Sequence, residues 1–153
     1  VFRHIGIIYK ICTIYARGSD AEDLQQEIIY QLWKSFPSFK GDAKFQTWMY
    51  RVALNTALLG MRERKAHYVE LSGNERDMSE GTYEAHEKEL EINQLYHYIS
   101  QLDDLDKAII FLHLEQCSYQ EISDITGMSE KNISVRLVRI RKKLRAMFNK
   151  TST

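Results

Sequence analysis

From Glu130 to about Phe148 the chain carries no glycine or proline, and it sets Ile133, Leu137, Ile140 and Leu144 at successive spacings of four, three and four. Those spacings return to one side of an α-helix and fit no strand, so this segment must be a helix with one apolar face to bury. Elsewhere the same logic dominates. One proline, seven glycines and little strict alternation of apolar residues leave helical periodicity as the main signal, which predicts an all-α fold. With 153 residues, 44% hydrophobic and 27% charged, the chain has the balance of a folded protein and room for one ordinary domain or two small ones.

A first helix is expected over about Phe2 to Ala16, with Ile5, Ile8, Ile11 or Cys12, and Tyr15 on one face. Ser19 then fits an N-cap, with Glu22 three residues on completing a capping box. The second helix should bury Leu24, Ile28, Leu32 and Phe36 and stop at Pro37, whose ring removes a donor and clashes with the preceding turn. After a loop from Pro37 to Asp42, a third helix is expected from about Ala43 to Lys65. It would turn Phe45, Trp48 or Met49, Val52, Thr56 and Leu59 inward and leave Thr47, Arg51, Asn55 and Arg62 outside. Residues 66–86 become acidic and lose their period, which predicts a flexible linker between domains at 1–65 and 87–150. Order resumes at Leu90 to Leu102 with Ile92, Leu95, Ile99 and Leu102 as the apolar stripe.

Three short helices follow, over about Leu105 to Gln116, Ser118 to Thr126, and Glu130 to Phe148. The break Thr126-Gly127-Met128-Ser129 supplies a left-handed turn at glycine and a capping serine for the next helix. Opposite the buried line of the last helix the pattern places Asn132, Arg136, Arg139 and Lys143. A helix apolar on one side, basic on the other and entered through a tight glycine turn suits the DNA major groove: arginines reach phosphates and guanine edges, and asparagine reaches adenine. Charge is sorted accordingly. Lys131 to Lys150 holds eight basic residues and no acidic one, whereas Glu70 to Asp106 holds eleven acids against Arg76 and Lys88, although the formal net charge is zero.

Cys12 and Cys117 form no CxxC pattern, so neither a disulfide framework nor a zinc site is indicated, and a reducing cytoplasm fits. No apolar run approaches the roughly 18 residues of a membrane helix, so no membrane insertion is expected. The start Val1-Phe2-Arg3-His4 lies inside an amphipathic pattern and lacks Met, which suggests a natural N-terminus further upstream. With no HExxH among the five histidines, no convincing carboxylate ligand set and no phosphate loop, neither an enzyme nor a cofactor is expected.

Ser118-Tyr119-Gln120-Glu121-Ile122-Ser123, Gly127-Met128-Ser129 and Val135-Arg136-Leu137-Val138-Arg139-Ile140-Arg141-Lys142-Lys143-Leu144-Arg145 resemble region 4 of the extracytoplasmic-function sigma factors of the sigma-70 family. In the first half, Asp20-Ala21-Glu22-Asp23-Leu24-Gln25-Gln26-Glu27, Phe36-Pro37-Ser38-Phe39-Lys40-Gly41 and the block from Phe45 to Ala57 resemble their region 2. The resemblance implies a subunit that binds core RNA polymerase and directs it to promoter DNA, with region 4 on the -35 element and region 2 on the melted -10 element. It also implies an anti-sigma partner.

Carried over by motif, Asp23, Gln26, Glu27 and Gln31 would dock on polymerase. Phe39, Lys40 and Asp42 would shape a pocket for a flipped base, Asn55 would read a neighbouring base, and Lys44 and Arg51 would hold the backbone. Lys131, Asn132, Ser134, Arg136, Arg139 and Lys143 would meet the -35 duplex. Single-stranded bases are held by aromatic faces and edge hydrogen bonds while cations follow phosphates, which suits those residue types. Phe45 and Trp48, on the expected inward stripe, read as core. The family often carries a basic residue and a serine before the arginine of the last helix, where this chain has Ser134-Val135, so the preferred duplex sequence does not carry over. The alternative is a one-component helix-turn-helix regulator whose helical first half senses a signal or dimerises; it predicts stable dimers on a palindromic site.

Overall fold

The computed structural model describes residues 4–41, 44–70 and 87–152, and all of their side chains except those of 61–70 and 87–89. Among the described residues every regular element is helical: α1 (Ile5–Tyr15), α2 (Ser19–Ser35), a 3-10 turn (Phe36–Ser38), α3 (Phe45–Glu70), α4 (Glu87–Ile99), α5 (Asp104–Leu114), α6 (Tyr119–Thr126) and α7 (Glu130–Thr151). The all-α expectation is met. Phe2, Asp42 and Ala43 lie outside the described residues, as does 71–86 of the expected linker.

In the first block α1, α2 and α3 pack mutually; in the second α5, α6 and α7 do, with α4 against α7. The blocks also touch one another, α1 against α4 and α5 and α3 against α6, and the buried side chains form one continuous cluster. Across the seam the Lys10 ammonium donates to Glu115 Oε1 at 3.0 Å, and the Tyr50 hydroxyl donates to Glu115 Oε2 at 3.3 Å. The Tyr15 hydroxyl donates to the Asp104 carbonyl at 2.8 Å, and Lys107 stands over the Tyr15 ring. Tyr50 and Phe111 meet edge to face at 6.0 Å. Desolvation raises the Tyr15 and Tyr50 phenols above their ordinary value, so both remain donors.

Several boundaries and faces differ from the sequence expectation. Gly18, with φ 58°, is the N-cap of α2, and Ser19 already lies inside the helix without a side-chain cap bond. The positive φ lets glycine reverse the chain one residue earlier than a serine cap requires. Helix α2 ends at Ser35; Pro37 sits in the following 3-10 turn, where its missing N–H costs nothing. Phe36, expected inward, is 57% exposed, because that turn swings it off the Leu24, Ile28 line. Helix α4 stops at Ile99, short of the expected Leu102; Ile92 on it is exposed as well, while Tyr98 and Ile99, and Leu102 in the turn beyond, carry the burial.

The largest correction concerns α3. It runs five residues beyond Lys65, and its buried line is Met49, Tyr50, Ala53, Leu54 and Ala57. Phe45 and Leu59 are exposed, Val52 and Thr56 only half-buried, and Thr47, expected outside, is buried. The helix carries apolar residues on most of its circumference and is packed by α1 and α2 on one side and α6 on another. Packing from two directions therefore selects a face that a single stripe cannot reveal.

Candidate nucleic-acid interface

Helix α7 is built by local rules. The Ser129 hydroxyl accepts the Asn132 N–H at 3.2 Å, Gly127 adopts φ 78°, and the Ser123 hydroxyl donates to the Met128 carbonyl, pinning the turn from inside. A Cβ at Gly127 would meet nothing within 4 Å, so the requirement for glycine there is conformational and not spatial. On the inner side Ile133, Leu137, Ile140 and Leu144 are all buried, as the spacing predicts.

At about 100° per residue, the direction opposite that line carries Lys131, Val135, Val138 and Lys142. All four are exposed. The expected stripe of Asn132, Arg136, Arg139 and Lys143 instead lies about a quarter turn from the core, on one flank, while Ser134, Arg141 and Arg145 occupy the other. On the first flank Arg136 is half-buried, and its guanidinium donates to Asp106 Oδ1 of α5 at 2.9 Å. Lys143 approaches Asp106 Oδ2 at 3.8 Å. Arg139, Lys131, Asn132 and Ser134 are exposed. On the second flank Arg141 donates to His113 Nε2 at 2.9 Å; desolvation and then the Arg141 charge hold the His113 imidazole below its ordinary value.

In the first block Phe39 joins Phe36, Phe45 and Trp48 in an aromatic cluster with ring centroids 5.2 to 6.4 Å apart. None of the four rings is fully buried, so Phe45 and Trp48 are not the core residues expected of them. Lys40 and Lys44 are exposed beside the cluster, and Gly41 turns the loop at φ 78°. Asp42 lies outside the described residues.

Asp23, Glu27 and Gln31 of α2 face Asn55 and Thr56 of α3 across an open groove, so residues expected to bind polymerase and a residue expected to read a base line one cleft. Gln31 donates to Glu27 Oε1 at 2.9 Å within it. Gln26 stands outside the groove on the outer face of α2. Arg51, although exposed, donates to the Asp124 carbonyl of α6 at 2.7 Å, tying the first block to the second.

Two features escaped the sequence reading. Tyr30 and Trp33 project from the outer face of α2 beside Gln26, with Trp33 78% exposed; their position three residues apart and off the Leu24, Ile28 stripe was the available signal. The pairing of Arg136 with Asp106, thirty residues away in sequence, had no local signal at all.

Residues 3–67 match the family description Sigma-70 region 2 and residues 92–144 match Sigma-70, region 4. The chain is 28% identical over 153 residues to the ECF RNA polymerase sigma-E factor of Haemophilus influenzae, covering 92% of this chain and 81% of that one. It is also 28% identical over 149 residues to the RNA polymerase sigma-H factor of Pseudomonas aeruginosa, covering 87% and 77%. Among solved structures, the sigma factor RpoE of Bartonella quintana in complex with the anti-sigma factor NepR superposes with a TM-score of 0.82 at 19% identity, over 97% of this chain and 93% of that one. CnrH in complex with the cytosolic domain of CnrY gives 0.65 at 22% identity, over 97% and 84%.

Proposed function

Because this chain belongs to the sigma-70 family and is an RNA polymerase sigma factor of the extracytoplasmic-function type, we propose that its two blocks divide promoter recognition, the second on the -35 duplex and the first on the melted -10 strand. The division takes residues 1–65 and 87–150 as the working domains, with 66–86 between them and α3 continuing into the start of that segment. One observation carries the reading: a cationic helix entered through a left-handed turn and a half-exposed aromatic cluster flanked by lysines sit in one chain. A duplex reader needs only the first; a factor that also captures unstacked bases needs both.

On the duplex, Lys131, Asn132, Ser134 and Arg139 stand ready on exposed positions, while Arg136 and Lys143 reach phosphates from the flank and are oriented by Asp106. On the single strand, Phe39 within its cluster offers an aromatic face, Lys40, Asp42 and Lys44 belong to the loop around it, and Asn55 offers an amide edge. Arg51 holds backbone phosphate only after exchanging its bond to the Asp124 carbonyl, so promoter engagement releases that tie between α3 and α6. Core polymerase docks along α2 through Asp23, Gln26, Glu27 and Gln31, with Tyr30 and Trp33 supplying apolar contact beside Gln26. The chain supplies recognition while polymerase supplies catalysis, and its place of work is the cytoplasm; among the described residues no helix is long and apolar enough to cross a membrane. An anti-sigma protein is the regulatory partner in this reading, supported by the fold shared with RpoE in its complex with the anti-sigma factor NepR.

Run-off transcription with core polymerase tests the assignment. The wild type should direct initiation from a promoter mapped after overexpression. Arg139→Ala should weaken upstream duplex binding with a shallower salt dependence, and Asn55→Ala should impair strand opening while sparing upstream binding. Stable dimers on a palindromic site, without association with core polymerase, would instead establish the one-component regulator.

A further inference from the structure

The pole of α7 that points away from the protein is not purely polar. Val135 is 45% exposed and Val138 50% exposed, one turn apart, with Lys131 and Lys142 on the same line and Arg139 and Arg145 to either side. Valine is a poorer helix former than alanine through its lost side-chain freedom, and neither of these two fills the core. Folding gives no reason for two β-branched side chains at the most outward positions of an otherwise cationic helix.

The major groove does give one. Each base pair presents donors and acceptors there, and thymine adds an apolar C5-methyl group. Valine cannot use a donor or acceptor and is repelled by none of the framing cations' work on phosphates. Its natural counterpart in that groove is the methyl. Val135 and Val138 lie in the first turns of α7, the part of a recognition helix that meets base edges. Their separation along the axis is about 4.5 Å, against about 3.4 Å between successive base pairs, so the two side chains address neighbouring pairs.

We propose that Val135 and Val138 read thymine C5-methyl groups at neighbouring base pairs of the upstream promoter element. This deepens the assignment of the second block to duplex DNA and rests on it. The charge framing commits the occupant to DNA: an apolar protein partner would have to desolvate Lys131, Arg139, Lys142 and Arg145 around a contact only two valines wide.

The test uses holoenzyme formed with core polymerase and a promoter whose upstream element is randomised. Bound sequences should be enriched in thymine at neighbouring pairs. Replacing each selected thymine by deoxyuridine, which removes only the methyl, should weaken wild-type binding about fourfold per site, the value of one buried methyl-sized group. The Val135→Ser, Val138→Ser double variant, polar at both positions and close to valine in helix propensity, should bind thymine and deoxyuridine duplexes alike, with an unchanged salt slope and unchanged helicity. Indifference of the wild type to deoxyuridine overturns the inference, as does a methyl dependence that survives in the double variant. If the variant loses a protein partner while methyl dependence is unaltered, the valines form a protein contact and the inference falls. If the holoenzyme selects no upstream sequence and Arg139→Ala leaves the salt slope unchanged, the duplex assignment itself fails.

Discussion

Helices α5, α6 and α7 each begin on a side chain that accepts a backbone N–H, Asp103 from Asp106, Ser118 from Glu121 and Ser129 from Asn132, whereas α1 and α2 begin on His4 and Gly18 with no side-chain cap. The second block therefore states its own helix starts in its sequence, with each cap satisfying a donor that the helix leaves orphaned. The first block takes its helix ends from a glycine reversal and a 3-10 turn, and its buried faces from neighbours. Two halves of one chain thus reach similar helical order by different routes, and the continuous core joins them.

The largest expected effect asks whether that shared core makes the halves one cooperative unit. Leu137 is fully buried in α7, and Leu137→Ala should cost about 2–5 kcal/mol. Both tryptophans, Trp33 and Trp48, lie in the first block, so their fluorescence reports on it alone while circular dichroism reports on all helices. The two urea midpoints should move together in the variant. Separate midpoints would show that the blocks melt independently.

A smaller effect tests the long-range ion pair that buries a carboxylate inside the second block. Asp106 is buried, with Arg136 at 2.9 Å and Lys143 at 3.8 Å. Asp106→Ala should destabilise by roughly 1.5–3 kcal/mol, the range for a hydrogen bond to a charged group, with the half-exposed arginine favouring the lower end. Arg136→Ala should also destabilise, and the double variant should cost less than the two singles combined. Strict additivity in denaturant titrations would mean that the pair is not coupled.

The caps give the most direct contrast. Ser129→Ala should lower stability by about 1 kcal/mol, and Ser19→Ala should change it by less than about 0.5 kcal/mol, because only the first serine accepts a helix N–H. Equal losses at the two positions would erase the distinction between the blocks.

The smallest effect is one of pH. Burial and Arg141 hold His113 below 6.5, so the folded state prefers the neutral ring, whose Nε2 accepts from Arg141. As pH falls below that value the unfolded chain binds the proton first, and stability present above it is lost as pH drops through the folded value. His113→Gln keeps an acceptor without the titration. Its melting temperature should therefore fall less than that of the wild type between neutral pH and about pH 5, while the two should be parallel above neutrality.

These contrasts explain what was legible in the residues. The 4-3-4 line of α7, the Gly127 turn and the Ser129 cap are local patterns whose physics is complete within a few residues, and each stands in the structure as the spacing implies. Of the candidate site, Arg139, Lys131, Asn132 and Ser134 are exposed on α7, and Lys40 and Lys44 beside the aromatic cluster. The expected placement of Arg136 directly opposite the core was not met, because four-residue spacing from a flank looks the same in a list as spacing from a pole until the inner line is fixed in angle. For α2, the polar motif directed attention to Asp23 and Glu27 and away from Tyr30 and Trp33.

The sequence by itself determined the helical class, the order of the elements and the capped turn that opens α7, since hydrogen-bonded turns and one-sided apolar lines are set by neighbours in the chain. Only the tertiary structure decided which side of α3 is buried, that Asp106 orients Arg136, that Glu115 ties Lys10 and Tyr50 across the seam, and that two valines face outward among cations. Those choices depend on elements distant in sequence meeting in space, where packing from several directions outweighs any single stripe.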